Sequence, residues 1–281
     1  MQYTQTNNSA ALLIHTCDRY EFLYKGFEIF FNLYWDSKIP TTNYFAAEEK
    51  SPFITNFKTI RSGKGEWSDR LIQLLTHDII EDYIIYMQED MWLTKPVNYQ
   101  ILRQLIDYTI QNSLDCVKLH SSEVYTTIPT GITINGLALN IIDNKKSKYL
   151  MSHQITLWKK DYLLKQLQPN EHPWRNERRA TKRMKNENPI LYQIDLFAEN
   201  GKAAINQNQN PTLRSEYFTI SHNGILDTQI QYFIRQLHQQ NLEIEYANQL
   251  QHHFENSLTH DGKTKPRKED ILQRLKHWLK L

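Results

Sequence analysis

The sequence predicts an α/β protein in which a mainly parallel sheet is flanked by helices and followed by a helical C-terminal region. Three observations lead to this class. Residues Tyr83–Met87 form an apolar run with the length and residue types of a strand buried on both faces. Strand-like and helix-like segments alternate up to Tyr99, and helical periodicity takes over after Leu226. We therefore predict an α/β domain in residues 1–225 and a helical extension in residues 226–281.

Composition and charge are those of an ordinary globular protein, with 40% hydrophobic and 23% charged residues among 281. The net charge of +2 argues against a nucleic-acid partner. Cys17 and Cys116 lack metal-ligand spacing, which favours a reducing compartment over a disulfide framework. No signal peptide or long apolar run is visible, so we expect a cytoplasmic protein. The dinucleotide and P-loop glycine motifs are also absent.

The first predicted strand, Ala10–Thr16, leads through a short polar turn into a helix over Tyr20–Tyr34. Asp18 and Arg19 occupy the turn, and together with Thr16 they follow the carboxyl end of the strand. Such positions face the ligand crevice in open α/β sheets. The alternative is that Asp18 caps the helix.

A second helix is predicted to start near Trp67, after a weak strand at Asn43–Ala46 and a flexible turn at Gly63–Gly65. Ser68 is a suitable N-cap for it. Arg70 and the first amides of the helix can bind phosphate oxygens. The alternative is a solvated helix start.

Gln88, Glu89 and Asp90 follow the Tyr83–Met87 strand directly. Carboxylates just beyond a central parallel strand lie where open α/β sheets bind ligands, although a strand-end acid can also simply cap a turn. We expect no regular structure between Asp90 and Pro96.

The rest of the chain is predicted to contain further helices, strands and one hairpin. The predicted segments are a helix at Tyr99–Ile110, a strand at Leu114–His120, a hairpin within residues 121–140, a strand at Leu150–Trp158, a helix at Lys159–Leu167, a strand at Tyr217–Ser221, and helices at Leu226–Gln240, Leu242–Phe254 and Lys268–Leu281.

A basic helix is predicted to follow Trp174, with six basic residues and one carboxylate between Arg175 and Lys185. The single carboxylate is Glu177, and Arg178 follows it. A run of charges usually marks a solvated helix face. The tryptophan at its start is unusual for plain surface, so a ligand-binding role is the competing interpretation.

The ordered set of motifs resembles the GT-A class of nucleotide-sugar glycosyltransferases, in particular bacterial enzymes of surface polysaccharide (lipopolysaccharide or capsule) synthesis. The motifs are Thr16-Cys-Asp-Arg19, Gly65-Glu-Trp-Ser68, Gln88-Glu-Asp90, Ser152-His-Gln-Ile-Thr-Leu-Trp158 and Pro173-Trp-Arg-Asn-Glu177. They span roughly residues 10–225, and their order carries the resemblance. It implies a GT-A-like, Rossmann-like fold.

The resemblance also implies a set of ligand-binding residues. Those implied for the nucleotide-sugar donor are Thr16, Asp18, Arg19, Trp67, Ser68, Arg70, Gln88, Glu89, Trp174 and Arg178. Asp90 is the implied ligand of a divalent cation, Mn²⁺ or Mg²⁺, with His222 as a second ligand or a diphosphate contact. Gln88 stands where the family usually has the first aspartate of its D-x-D motif.

The acceptor in such a reaction is a hydroxyl of a glycan or a lipid-linked glycan, and it needs a base to take its proton. Glu177 is the candidate base, with Asp195 or Glu171 next, and a single base implies inversion. Two alternatives are a metal-dependent phosphodiester hydrolase using Glu89 and Asp90, and a non-catalytic nucleic-acid-binding protein.

The last predicted helix, Lys268–Leu281, carries one apolar face flanked by basic residues. This pattern is typical of a helix that lies on a membrane surface, and we expect a peripheral contact with the cytoplasmic face. Packing on its own domain or on a partner subunit is the alternative.

Overall fold

The computed structural model describes residues 10–206 and 209–264. The chain divides into two compact units, one that ends at Thr219 and one that begins at Ile220. The first unit contains an eleven-stranded sheet, and a two-stranded hairpin belongs to the second. The functional division into residues 1–225 and 226–281 stays a prediction.

The strands of the large sheet are short, and most of them alternate with helices along the chain. They are β1 (Ala10–His15), β2 (Thr41–Ala47), β3 (Lys58–Arg61), β4 (Tyr83–Met87), β5 (Met91–Leu93), β6 (Cys116–His120), β7 (Thr127–Ile134), β8 (Leu137–Ile142), β9 (Thr156–Lys159), β10 (Tyr192–Glu199) and β11 (Ser215–Thr219).

Five α-helices belong to the described part of the first unit. They are α1 (Glu21–Tyr34), α2 (Trp67–Gln73), α3 (Tyr99–Gln111), α4 (Lys160–Gln166) and α5 (Pro173–Glu187). Asn98 caps α3 by accepting a hydrogen bond from Ile101 N at 3.1 Å. A proline at N1 and the His172 side chain, which accepts from Arg175 N at 3.4 Å, begin α5.

The order of the sheet is β3-β2-β1-β4-β9-β6-β10-β11-β5, with β8 paired to β10 and β7 to β8. Strands β1 to β4 form one parallel set, and β6, β10 and β11 form another. Strand β9 lies between the two sets and runs antiparallel to both β4 and β6. A mixed, mostly parallel sheet flanked by helices confirms the predicted α/β class.

The core lies on both faces of the central strands, because every residue of β1, β4 and β6 is buried. This explains why the Tyr83–Met87 run is apolar throughout and does not alternate. On one face, Phe27 and Phe31 of α1 stack on each other with centroids 5.4 Å apart and pack against Phe45 and Phe57. The other face is covered by α2, α4 and α5.

Three local predictions are wrong. Met91–Leu93 is a strand, since its backbone pairs antiparallel with β11 before Pro96 is reached. The N-cap of α2 is Glu66, and Ser68 lies buried inside the first turn. The predicted strand at Leu150–Trp158 begins only at Thr156. The residues before Thr156 do not form the regular backbone hydrogen bonds of a strand.

The second unit contains β12 (Ser221–His222), β13 (Ile225–Leu226), α6 (Ile230–Gln239) and α7 (Ile244–Glu255). The predicted turn at His222–Gly224 closes the β12–β13 hairpin. The predicted amphipathic helix over Lys268–Leu281 lies outside the described residues. Within residues 10–206 and 209–264, no helix is long and apolar enough to cross a membrane.

Candidate active site

One edge of the large sheet collects most of the polar residues singled out in the sequence. Strands β1, β2, β4, β6 and β10 all run in the same direction, so their carboxyl ends meet at this edge. Because β9 runs the opposite way, the segment that precedes it, Ser152–Ile155, arrives at the same edge. This is the location at which open α/β sheets bind ligands.

The carboxylate turn, Gln88–Asp90, follows β4 at this edge. Trp92 donates from Nε1 to the Glu89 carbonyl oxygen at 2.9 Å, and Met91 N donates to the Gln88 carbonyl oxygen at 3.2 Å. Glu89 is 5% exposed. Among the described residues, Asp90 Oδ1 is buried without a hydrogen-bond partner. An acceptor oxygen left in this state is costly and is stabilised by a cation or a donor.

Burial raises the pKa of both Glu89 and Asp90 well above the ordinary carboxyl range. The charge of Asp90 raises the pKa of Glu89 further, whereas the Thr16 hydroxyl and Arg70 lower it. Two adjacent negative charges at this turn are therefore costly, and a bound cation would relieve that cost.

The chemistry of Asp90 is compatible with one ligand of a divalent cation. Asp90 offers a hard, unpartnered oxygen, which suits Mg²⁺ or Mn²⁺. No cluster of three or more His, Cys, Asp and Glu side chains stands ready for a metal in the described ranges. The remaining ligands would come from phosphate oxygens and water. His222 is exposed in the β12–β13 hairpin of the second unit, and its role as a ligand stays a prediction.

Asp18 joins the loop after β1 to the loop after β2 by hydrogen bonds. Its carboxylate accepts hydrogen bonds from the backbone N–H groups of Glu48, Glu49 and Lys50 at 3.0 to 3.4 Å, and Glu48 accepts one from Asp18 N at 3.0 Å. Its carboxylate thus binds backbone N–H groups on the loop after β2, and the predicted donor contact stays untested. Arg19 beside it is exposed.

Arg70 is buried beneath the same edge. It donates from Nη1 to the Thr16 carbonyl oxygen at 2.8 Å and to Ser62 Oγ at 3.2 Å, and its Nη2 lies 3.6 Å from Glu48 Oε1. The guanidinium joins the ends of three parallel strands, β1, β2 and β3. Its positive charge lies next to the carboxylate turn, where it lowers the pKa of Glu89.

Trp67 and Ser68 are core residues at the start of α2. Trp67 donates from Nε1 to Tyr86 Oη at 3.2 Å and packs edge-on against His153 with centroids 4.3 Å apart. Ser68 Oγ accepts from Glu171 N at 2.9 Å, and Ser68 N donates to the Glu171 carbonyl oxygen at 3.1 Å. Both residues join α2 to neighbouring segments, and neither predicted donor contact is tested by the geometry.

A cavity of about 520 Å³ opens at the same sheet edge. Three of the predicted site residues, Trp174, Glu177 and Arg178, line it together. The other lining residues are His120, Ser122, Val124, Tyr125, Tyr149, Met151, Ser152, Gln154, His172, Glu199 and Lys202. Trp174 is 57% exposed, so its ring is available to a ligand.

Glu177 presents a partly buried carboxylate to this cavity. Its Oε1 accepts a hydrogen bond from His153 N at 2.9 Å. Burial raises the pKa of Glu177, the His153 N–H and Lys118 lower it, and Glu199 raises it again. The environment therefore moves the pKa of this carboxyl towards neutral pH, as a general base requires.

Glu199 at the end of β10 is a second cavity carboxylate, which the sequence analysis did not identify. Burial raises its pKa, and Lys202 forms an ion pair with it at 3.4 Å. The period-two alternation of polar residues at Gln193, Asp195 and Glu199 was the signal for this strand. It is weak, because Phe197 interrupts it.

The two fallback bases make buried contacts outside the cavity. Asp195 accepts hydrogen bonds from Ile205 N at 2.8 Å and from Gln193 Nε2 at 3.0 Å. Glu171 accepts from Asn176 Nδ2 at 2.8 Å and pairs with Arg183 at 3.4 Å. Neither carboxylate lines the cavity.

Tyr217 connects the carboxylate turn with the cavity. Its hydroxyl donates to Gln154 Oε1 at 2.7 Å, and Gln154 lines the cavity. After burial, the charges of Glu199 and Asp90 contribute to raising the pKa of Tyr217. Tyr217 is therefore hydrogen-bonded to the cavity wall and close enough to the candidate metal ligand for the charge of Asp90 to affect its pKa.

No protein-family model matches the sequence, and no curated protein matches it. The chain is similar to a crystal structure of TarS from S. aureus, with a TM-score of 0.45 and 11% identity over 88% of this chain and 43% of that one. For a crystal structure of S. aureus TarS 1–349, the TM-score is 0.45 and the identity is 12%, and the match covers 97% of this chain and 78% of that one. For a crystal structure of UDP-glucose pyrophosphorylase complexed with UDP-glucose, the TM-score is 0.39 and the identity is 9%. That match covers 66% of this chain and 90% of that one. The chain spans less than half of the first TarS chain.

Proposed function

We propose that this chain is an inverting glycosyltransferase. It moves a sugar from a nucleotide-diphosphate donor to a hydroxyl of a glycan or a lipid-linked glycan, as in the synthesis of a bacterial surface polysaccharide. The observation that carries the proposal is that two unlike carboxylate sites lie at the carboxyl ends of the same set of strands. One is the carboxylate turn with an unpartnered Asp90 oxygen, and the other is a cavity that presents Glu177.

The donor diphosphate belongs at the carboxylate turn. Asp90 is the residue that would hold a divalent cation there, and such a cation would neutralise the charge that develops on the leaving diphosphate. The buried Arg70 guanidinium adds positive charge to the same region. Glu89 is buried beneath the turn and is better suited to setting its electrostatics than to touching a ligand.

The acceptor belongs in the cavity, where Trp174 offers an exposed aromatic face for a sugar ring. The acceptor oxygen forms a bond to the anomeric carbon while the bond from that carbon to the diphosphate breaks. Glu177 takes the hydroxyl proton during the attack. One base and one displacement give inversion at the anomeric carbon.

A ligand screen by thermal shift, with and without Mn²⁺, tests this proposal. We expect one nucleoside diphosphate to raise the melting temperature more in the presence of Mn²⁺, because a ligand that binds only the folded state stabilises it. The matching nucleotide sugar should then release its nucleoside diphosphate when acceptor glycans are added. Stabilisation by an oligonucleotide alone would overturn the proposal in favour of nucleic-acid binding. Cleavage of a model phosphodiester with Mn²⁺ would overturn it in favour of a hydrolase.

A further inference from the structure

Lys118 is a lysine with no exposed surface, in the middle of β6. Its Nζ lies 4.4 Å from the centroid of the Trp158 ring and 3.4 Å from both the carbonyl oxygen and Oγ of Ser152. A buried ammonium is costly unless its surroundings compensate the charge. The ring, the carbonyl oxygen and the hydroxyl supply only partial compensation.

The peptide group between Ser152 and His153 separates Lys118 from Glu177. Its carbonyl oxygen accepts from Lys118 Nζ, and its N–H donates to Glu177 Oε1 at 2.9 Å. The positive end of this peptide dipole therefore points at the carboxylate, and its negative end points at the ammonium. A cation, one peptide group and an anion are aligned so that each stabilises the next.

The other charged and titratable groups around Glu177 do not replace this cation. Glu199 on β10 repels the Glu177 carboxylate. His153 is neutral, because burial and then Lys118 lower its pKa to about 3. Tyr125, which contacts Ser152 Oγ at 2.9 Å, is neutral as well. Arg178 and Lys202 also line the cavity, on the solvent-exposed side.

We propose that Lys118 is a positioning residue for Glu177, which acts through the Ser152–His153 peptide to orient the carboxylate and to keep it ionised. This inference deepens the proposed function and rests on Glu177 as its base. The lysine does not line the cavity in which we place the acceptor, so it would act on Glu177 without touching the acceptor. Its contribution is electrostatic, so it should alter the pH dependence of transfer as well as its rate.

Lys118→Met and Lys118→Arg test the proposal, with the carboxyl titration of Glu177 followed by ¹³C NMR and assigned with Glu177→Gln. We expect Lys118→Met to raise the pKa of Glu177 by about one unit, the scale of losing a nearby opposite charge. The acid limb of the single-turnover rate should move to higher pH by the same amount. Lys118→Arg keeps the charge and should largely restore both. An unchanged Glu177 titration in folded Lys118→Met would overturn the inference.

A reciprocal measurement covers the case in which Lys118→Met does not fold. Coupling between two titrating groups is mutual, so in Glu177→Gln the Lys118 ammonium should titrate about one unit lower than in the wild type. An unchanged Lys118 titration would overturn the inference. These NMR results are separate from the proposed function, which fails if the wild-type chain transfers no sugar, whatever the titrations show. If Glu177→Gln transfers sugar at the wild-type rate, only the assignment of Glu177 as the base fails.

Discussion

Gly26 and Trp92 fit together so closely that a Cβ atom on Gly26 would lie 1.9 Å from Cη2 of the indole. The same indole donates from Nε1 to the Glu89 carbonyl oxygen at 2.9 Å. The packing of α1 against β5 therefore fixes the carboxylate turn, and with it the position of Asp90.

Gly26→Ala should lower the free energy of unfolding by about 2 kcal/mol or more, because overpacking exceeds the small gain in helix propensity. Urea unfolding followed by circular dichroism measures the change. Trp92→Phe is the matched control, since its smaller ring makes room for the new methyl group. The double variant should be more stable than the sum of the two single changes indicates. Additive effects would contradict the packing account.

Asp90→Asn should weaken Mn²⁺-dependent binding of the nucleoside diphosphate by about tenfold or more and should lower turnover. The amide keeps the shape of the side chain but cannot neutralise a cation. Titration calorimetry with and without Mn²⁺ measures the effect. Asp107→Asn, which alters an exposed carboxylate in a surface ion pair with Arg103, is the control and should bind as the wild type does. Equal Mn²⁺ dependence in both variants would remove Asp90 as the ligand.

Glu177→Gln should reduce single-turnover transfer by about a hundredfold or more while donor affinity survives, the usual scale for losing a general base. Glutamine can still accept the hydrogen bond from His153 N, so the fold should persist. Glu199→Gln, the other cavity carboxylate, is the matched comparison and should keep most of the activity. The reverse ranking of the two variants would make Glu199 the base.

Trp174→Ala should raise the acceptor KM by about tenfold, which corresponds to about 1.4 kcal/mol of lost ring contact. Donor hydrolysis by water should stay unchanged, because the exposed ring lies in the cavity and not at the carboxylate turn. Trp174→Phe keeps an aromatic face and should recover most of the affinity. A loss of donor binding in Trp174→Ala would instead assign the ring to the nucleotide.

Buried His120 should make the protein less stable in acid. Burial lowers its pKa from 6.5 to about 3, while Nδ1 lies 3.2 Å from the Ile155 carbonyl oxygen and Nε2 lies 3.2 Å from Tyr125 Oη. Between these pH values the unfolded chain binds a proton that the folded chain does not. The resulting loss in the free energy of unfolding is absent above pH 6.5. It grows as the pH falls towards 3, by up to about 1.4 kcal/mol per pH unit.

His120→Gln removes that contribution. The free energy of unfolding of the variant, measured in urea between pH 7.5 and 5, should fall less steeply than that of the wild type. Raised carboxyl pKa values elsewhere act in the opposite direction in both proteins, so the difference between the two curves isolates His120. Parallel curves would contradict a neutral, buried His120.

The central strand and its acidic end could be predicted because a strand buried on both faces leaves an unmistakable apolar run, and Tyr83–Met87 is such a run. Strand β10 was missed for the opposite reason. Its buried polar residues, such as Gln193 and Asp195, form hydrogen bonds with groups outside the strand, including the His120 carbonyl oxygen and Ile205 N. Those partners exist only once the sheet has formed.

The candidate site was predicted in part. Trp174, Glu177 and Arg178 do line one cavity, because α5 presents them on one side of its first turns. Ser68, by contrast, was interpreted as a cap from its position alone. Its hydroxyl meets Glu171 N, which lies far away along the chain. Local sequence indicates polarity near a helix start, but tertiary packing decides which partner the polar group finds.

The antiparallel strand β9 has a consequence for the order in which the sheet can assemble on the ribosome. Among the described strands, it alone pairs with both β4 and β6. Until Lys159 has been made, the backbone N–H and C=O groups of β4 that pair with β9 have no partner strand. Unpaired strand edges of this kind attract other strands. At ordinary rates of synthesis the roughly 70 residues after Met87 take about 4–14 s. In a nascent chain this edge of the central strand therefore stays unpaired for seconds, long enough for a chaperone to bind it.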